Sequence, residues 1–155
     1  MTQRLVPLLL AALAACGGGS PAPAATPSPA TPADALAGFL DAVRQNDLSR
    51  MGHLWGSERG PAAGWMAAEE LNKRVAVIQK YLLHGGYRVV EGPMPVPGES
   101  RRMAFRVELR RDECVHVQAI DVVRVDRGGW VVQDVHLGEA RSPVQACPPG
   151  TETPR

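Results

Sequence analysis

The hydrophobic rhythm of the chain changes three times along its length. Residues 5–15 are an almost unbroken apolar run, and residues 17–33 are Gly, Ser, Pro, Ala and Thr with no large apolar side chain. From Leu36 the apolar positions recur at helical spacing. From Tyr87 they alternate instead, the period of a strand with one buried face.

Three helices follow from the first of these folded patterns. Thr31-Pro32-Ala33-Asp34 has a capping hydroxyl, a proline in the first turn and an acid at the third position, the features of a helix start. Leu36, Phe39, Leu40 and Val43 then line one face of a helix to about Gln45. Asp47 caps a shorter helix with Leu48, Met51, Leu54 and Trp55 on its apolar side, and Gly56 to Gly64, with Gly60-Pro61, reads as a loop. Leu71, Val75, Ile78 and Leu82 predict a longer helix over about Met66 to Leu83, with Gly85-Gly86 as a left-handed stop. Glu69, Glu70, Lys73, Arg74 and Lys80 form its solvated face.

The strands come next. Tyr87 to Glu91 is expected to end at Gly92-Pro93, with Pro93, Pro95 and Pro97 turning the following stretch into an irregular edge or loop. Met103, Phe105, Val107 and Leu109 alternate with Arg102, Ala104, Arg106, Glu108 and Arg110, a half-buried antiparallel strand whose arginines face water. Cys114 to Val125 and Trp130 to Leu137 are joined by Asp126-Arg127-Gly128-Gly129, a hairpin signal. A four-residue loop would pair Val125 with Trp130, Val123 with Val132, Asp121 with Asp134 and Ala119 with His136. Ile120, Val122, Val131, Val135 and Leu137 would then occupy the other face, leaving both faces partly apolar. The fold class expected is α+β, with N-terminal helices packed on a curved antiparallel sheet.

Composition adds an address. The run at 5–15 is too short to span a bilayer, which takes about 20 residues, and with Arg4 before it it reads as a secretory leader. The organisation expected is a leader over residues 1–15, a proline-rich tether over 16–33, one α+β domain over 34–148 and a polar tail over 149–155. Removing Arg4 leaves sixteen basic residues against sixteen acidic ones. That neutral balance argues against nucleic acid as a partner.

Leu13-Ala14-Ala15-Cys16 resembles the lipobox of bacterial lipoproteins. The resemblance implies lipidation of Cys16, with palmitate among its acyl chains, and cleavage before it. The protein would then be held in the cell envelope by its lipid. Gly17 rather than aspartate follows, which implies the outer membrane, facing the periplasm, in a cell with two membranes. An ordinary secreted protein cut near Ala15 is the alternative. With Cys16 assigned to lipid, Cys114 and Cys147 remain as a pair in an oxidising compartment and are expected to form a disulfide. It would close a loop of about 34 residues and contribute on the order of 4 kcal/mol.

Three helices followed by such a sheet resemble the cone-shaped superfamily of nuclear transport factor 2 and ketosteroid isomerase. The resemblance rests on Ala35 to Asp47 with the Asp47-Leu48 helix start, and on Val123-Arg124-Val125 with Gly129-Trp130-Val131-Val132. A short strand between the second and third helices is missing from the pattern; another small α+β fold is the alternative. Members of that superfamily bind small molecules in the cone, catalyse proton transfers or dehydrations there, or use the shape for assembly, so the fold alone selects no function.

The sharpest candidate for chemistry is Asp121, Asp134 and His136. Two carboxylates facing each other across a strand pair, beside an imidazole, are suited to general acid and base work. Against this, like charges opposed in a sheet are unfavourable. His53, His84, His116 and His136 are scattered without a metal-ligand spacing, and Gly85-Gly86 and Gly128-Gly129 are turns rather than phosphate cradles, so no metal or cofactor is expected. His84 reads as a cation at a helix C-terminus, Trp55 as core, and Trp65 as a staple before the third helix. A domain that binds a small apolar ligand, a second copy of itself or another envelope protein is read ahead of a small isomerase or dehydratase.

Overall fold

A computed structural model of the chain describes residues 27–140 and Ser142. Cys16, Cys147, the expected leader, most of the expected tether and the expected tail lie outside the described residues.

Helix α1 spans Pro32–Arg44 and α2 spans Leu48–Leu54. Thr31 caps α1 reciprocally: its Oγ1 accepts from the Asp34 N–H at 3.1 Å and donates to Asp34 Oδ2 at 2.7 Å. Asp47 Oδ1 caps α2 by accepting from the Arg50 N–H at 2.9 Å. Both starts follow the local sequence because capping needs only neighbours.

The stretch expected as a loop holds a miniature hairpin, β1 (Gly56–Ser57) against β2 (Gly60–Pro61), and a short 3-10 turn over Ala62–Gly64. Gly56 is required there, because a Cβ would strike the Gly60 carbonyl oxygen. Helix α3 then spans Ala68–Leu82.

The helix does not end on a left-handed Gly85-Gly86. Leu83 is extended, and the Gly85 N–H donates to the Arg110 carbonyl at 2.7 Å, so the glycines lead into β3 (Gly86–Val96). The last carbonyls of α3 are satisfied from another element. Arg111 donates to the carbonyls of Leu83 at 2.9 Å and Tyr81 at 2.8 Å, which replaces the expected backbone motif.

Strands β3, β4 (Glu99–Arg111), β5 (Cys114–Arg124) and β6 (Trp130–Asp134) form one antiparallel sheet in the order β3-β4-β5-β6. Strand β3 does not stop at Gly92-Pro93. It passes through them with register shifts after Val89, Glu91 and Pro95, and Gly92 lies against the Ala104 carbonyl and Phe105 where a side chain has no room. Edge strands accept proline because only one side of their backbone is paired.

Two corrections concern the last hairpin. Strand β6 ends at Asp134 instead of Leu137, and next to the turn Arg124 pairs with Trp130, Val123 with Val131 and Val122 with Val132. The loop is five residues, Val125 to Gly129, because the Val125 N–H closes it onto the Gly129 carbonyl at 3.0 Å. A bulge at Gln133 then restores the expected pairing of Asp121 with Asp134. His136 is therefore not paired with Ala119, and Val131 and Val132 exchange faces.

The core lies between the helices and one sheet face. Leu36, Phe39 and Leu40 of α1 and Val75 and Leu82 of α3 meet Phe105, Val107, Leu109, Ile120 and Val122, all essentially inaccessible. Each large side chain so buried contributes about 1.5–3 kcal/mol. On the opposite face Val123, Val125 and Val131 form a separate small cluster, so both faces are partly apolar.

His84 also departs from expectation. It is 3% exposed, its Nδ1 bonds the Leu82 carbonyl at 2.8 Å, and its ring meets Tyr87 edge-on at 5.6 Å. Burial pushes its pKa below the usual histidine value, which makes it a neutral packed residue rather than a helix-end cation.

Candidate functional site

The three residues singled out from the sequence do converge, by a route the simple hairpin did not foresee. Asp121 lies on the sheet face opposite the helices and is 6% exposed. Just past the end of β6 the chain turns at His136, whose φ of 44° is left-handed. The turn is held by the His136 N–H donating to Asp134 Oδ1 at 2.8 Å and by Gln118 Nε2 donating to the Val135 and His136 carbonyls at 2.7 and 3.3 Å. The imidazole thereby comes back over the sheet, with Nε2 at 3.2 Å from Asp121 Oδ2 and Nδ1 at 3.9 Å from Asp134 Oδ2.

A fourth member was not apparent from the sequence. Arg102 places one guanidinium nitrogen 3.9 Å from Asp121 Oδ2 and another 3.2 Å from Glu99, while its Nε donates to Gln133 Oε1 at 3.0 Å. The bulge positions this acceptor, and on the other side the Gln133 carbonyl receives the Trp55 indole N–H at 3.1 Å. Alternation in β4 places Arg102 on the polar face. Only the β4–β5 register, Ala104 beside Asp121 and Arg102 beside Val123, brings it to the carboxylate.

Chemically, the cluster holds an imidazole between two carboxylates, with a guanidinium facing the more buried one. Proton exchange between His136 and Asp121 is within reach. A cleft of about 480 Å³ lies beside α1 and α2, lined by Pro27, Pro29, Asp34, Arg50, His53 and Leu54 among others. An apolar groove of about 350 Å³ runs between α3 and Trp55, with Val77, Ile78 and Leu137 in its walls. Asp121, Asp134 and His136 line neither. Among the described residues no group of His, Cys, Asp and Glu is arranged to hold a metal ion.

The remaining arginines of the open face are ion-paired. Arg88 reaches Glu108 at 2.6 Å, Arg110 reaches the same residue at 3.5 Å, and Arg106 reaches Glu91 at 3.8 Å. Glu108 is held below the usual carboxylate range by its hydrogen bond to Arg88. Trp55 packs against the core as expected. Trp65 is 42% exposed, with Arg59 stacked 4.4 Å from its ring centre. Tyr87 belongs to the His84 contact, and burial raises its pKa.

No family model, no curated protein and no solved structure matches this chain. Among the described residues no helix is long and apolar enough to cross a membrane.

Proposed function

We propose that this protein is a lipid-anchored cell-envelope protein whose folded part is a binding or interaction module of the cone-shaped nuclear transport factor 2-like kind. The observation that carries the anchor is the apolar run ending in Leu13-Ala14-Ala15-Cys16 and followed by a proline-rich segment. Two or three acyl chains on Cys16 hold a protein at a bilayer, since each buried methylene contributes about 0.8 kcal/mol. Cys114 and Cys147 form the disulfide of this reading.

Interaction is favoured over catalysis by the surroundings of Asp121. Its carboxylate faces Arg102 and His136, so the groups that would act on a substrate are engaged with one another. The polar cluster fastens the end of β6 to the middle of the sheet, and the partner is a small apolar ligand, an envelope protein or a second copy of the chain. A proton-transfer enzyme of isomerase or dehydratase type is the second reading, favoured by the 3.2 Å approach of His136 Nε2 to Asp121.

Metabolic labelling with palmitate tests the anchor: the protein takes up label and fractionates with membranes, and C16S does neither. Label persisting in C16S, or none in the parent, would refute it. Between the two functional readings, an Asp121→Asn variant that loses folding stability without altering any ligand or partner binding supports a structural cluster, whereas turnover of a ketosteroid-type substrate abolished by the same change supports the enzyme.

A further inference from the structure

Hydrogen bonds and ion pairs gather two hairpin tips and the start of β4 at one end of the domain. The Asp126 N–H donates to the Glu58 carbonyl at 2.8 Å. Arg101 spans the same junction, 2.7 Å from Asp126 and 3.6 Å from Glu58, and donates to the Arg124 carbonyl at 2.8 Å. Arg101 thus engages both acids of the junction. The side chains of Arg59, Arg124 and Arg127 make no ion pair among the described residues, and all three are exposed.

Trp65 stands beside Arg59. Its indole N–H is satisfied by the Gly60 carbonyl at 3.1 Å, and Arg59 covers its ring, yet 42% of the residue remains open. The ring is therefore held outward by a hydrogen bond that spends its polar handle. A fixed, exposed tryptophan with an arginine stacked on it, at the end of the domain that carries the β5–β6 turn, suits a surface that is apolar at depth and anionic at its boundary.

The tether arrives at this same end. The Trp130 N–H donates to the Pro29 carbonyl at 2.9 Å, and a Cβ on Gly129 would lie 2.7 Å from Ser28 Cβ and 2.9 Å from the Ser28 carbonyl oxygen. The backbone before α1 is thus seated directly on the β5–β6 turn. The twelve residue steps from Cys16 to Ser28 reach at most about 43 Å.

We propose that this end is a membrane-contact surface, with Trp65 entering the headgroup layer and Arg59, Arg124 and Arg127 facing anionic lipid phosphates. The proposal deepens the lipid-anchor reading and rests on it for its physiological setting. Tethering raises the local concentration of lipid, so weak contacts suffice to orient the domain.

The test holds the protein at the same point without needing Cys16 to be lipidated. The chain from Gly17 to Arg155, which contains every described residue, carries a polyhistidine segment before Gly17 and is bound to nickel-chelating lipid in vesicles. Brominated phosphatidylcholine serves as quencher, with or without phosphatidylglycerol. Tryptophan quenching is expected with phosphatidylglycerol, weaker without it, and largely lost in W65F, which keeps Trp55 and Trp130. In vesicles lacking the nickel lipid, the partition coefficient is expected to fall about fivefold for each of R124Q and R127Q. Quenching that ignores phosphatidylglycerol, or is unchanged in W65F, overturns the surface even if palmitate labels Cys16. A failed palmitate experiment with positive quenching overturns the anchor reading instead.

Discussion

Protonating His84 is the perturbation whose sign and size follow most directly from its surroundings. The residue is 3% exposed, and its Nε2 is buried with no hydrogen-bond partner among the described residues. Burial is the largest cause of its lowered pKa; the hydrogen bond to Leu82 opposes it, Arg44 and Arg111 add to the lowering, and Asp41 counteracts them. In the neutral ring Nδ1–H donates to the Leu82 carbonyl and Nε2 keeps only an unpartnered lone pair. A second proton would place a donor on Nε2 without an acceptor. The unfolded chain takes up that proton near pH 6.5, whereas the folded chain resists it to lower pH. The unfolded state therefore binds more protons below about pH 6.5, and stability, complete above that value, falls with acidification until the folded pKa is reached. Between pH 7.5 and 5.5 the loss approaches about 1.4 kcal/mol if the folded ring stays neutral throughout. Urea unfolding followed by tryptophan fluorescence at a series of pH values measures it, with His84→Leu as the non-titrating comparison. The parent should lose more stability on acidification than the variant, with about 1.4 kcal/mol as the upper limit. Parallel pH profiles would refute the reasoning, as would a parent that becomes more stable in acid.

Other expectations concern packing and the seated segment. Gly129→Ala places a Cβ against Ser28 and Pro29 at a φ of +86°. A loss of about 1–3 kcal/mol is expected from strain and the displaced Trp130 bond, with faster hydrogen exchange at the Trp130 amide. Phe105→Ala removes a ring that is 2% exposed at the centre of the sheet, and a drop of about 3–5 kcal/mol in chemical denaturation is expected.

What the sequence determined about this protein is what depends on near neighbours. The caps of α1 and α2 were legible in Thr31, Asp34 and Asp47, because a capping side chain reaches only two or three residues. Alternation over Met103 to Leu109 identified the buried face of β4, since side chains of an extended chain point alternately to opposite sides. The candidate cluster was half legible: the juxtaposition of Asp121 with Asp134 could be guessed from the hairpin, but through a loop one residue too short whose error the Gln133 bulge cancels. Only the tertiary structure decided what lies between distant segments. Arg111 reaches across to close α3, Arg102 joins the Asp121 cluster through the β4–β5 register, and His84 is neutral because α3 and the sheet bury it. Cross-strand register, solvent exclusion and the meeting of Ser28 and Pro29 with the β5–β6 turn depend on how layers pack, and no local pattern encodes them.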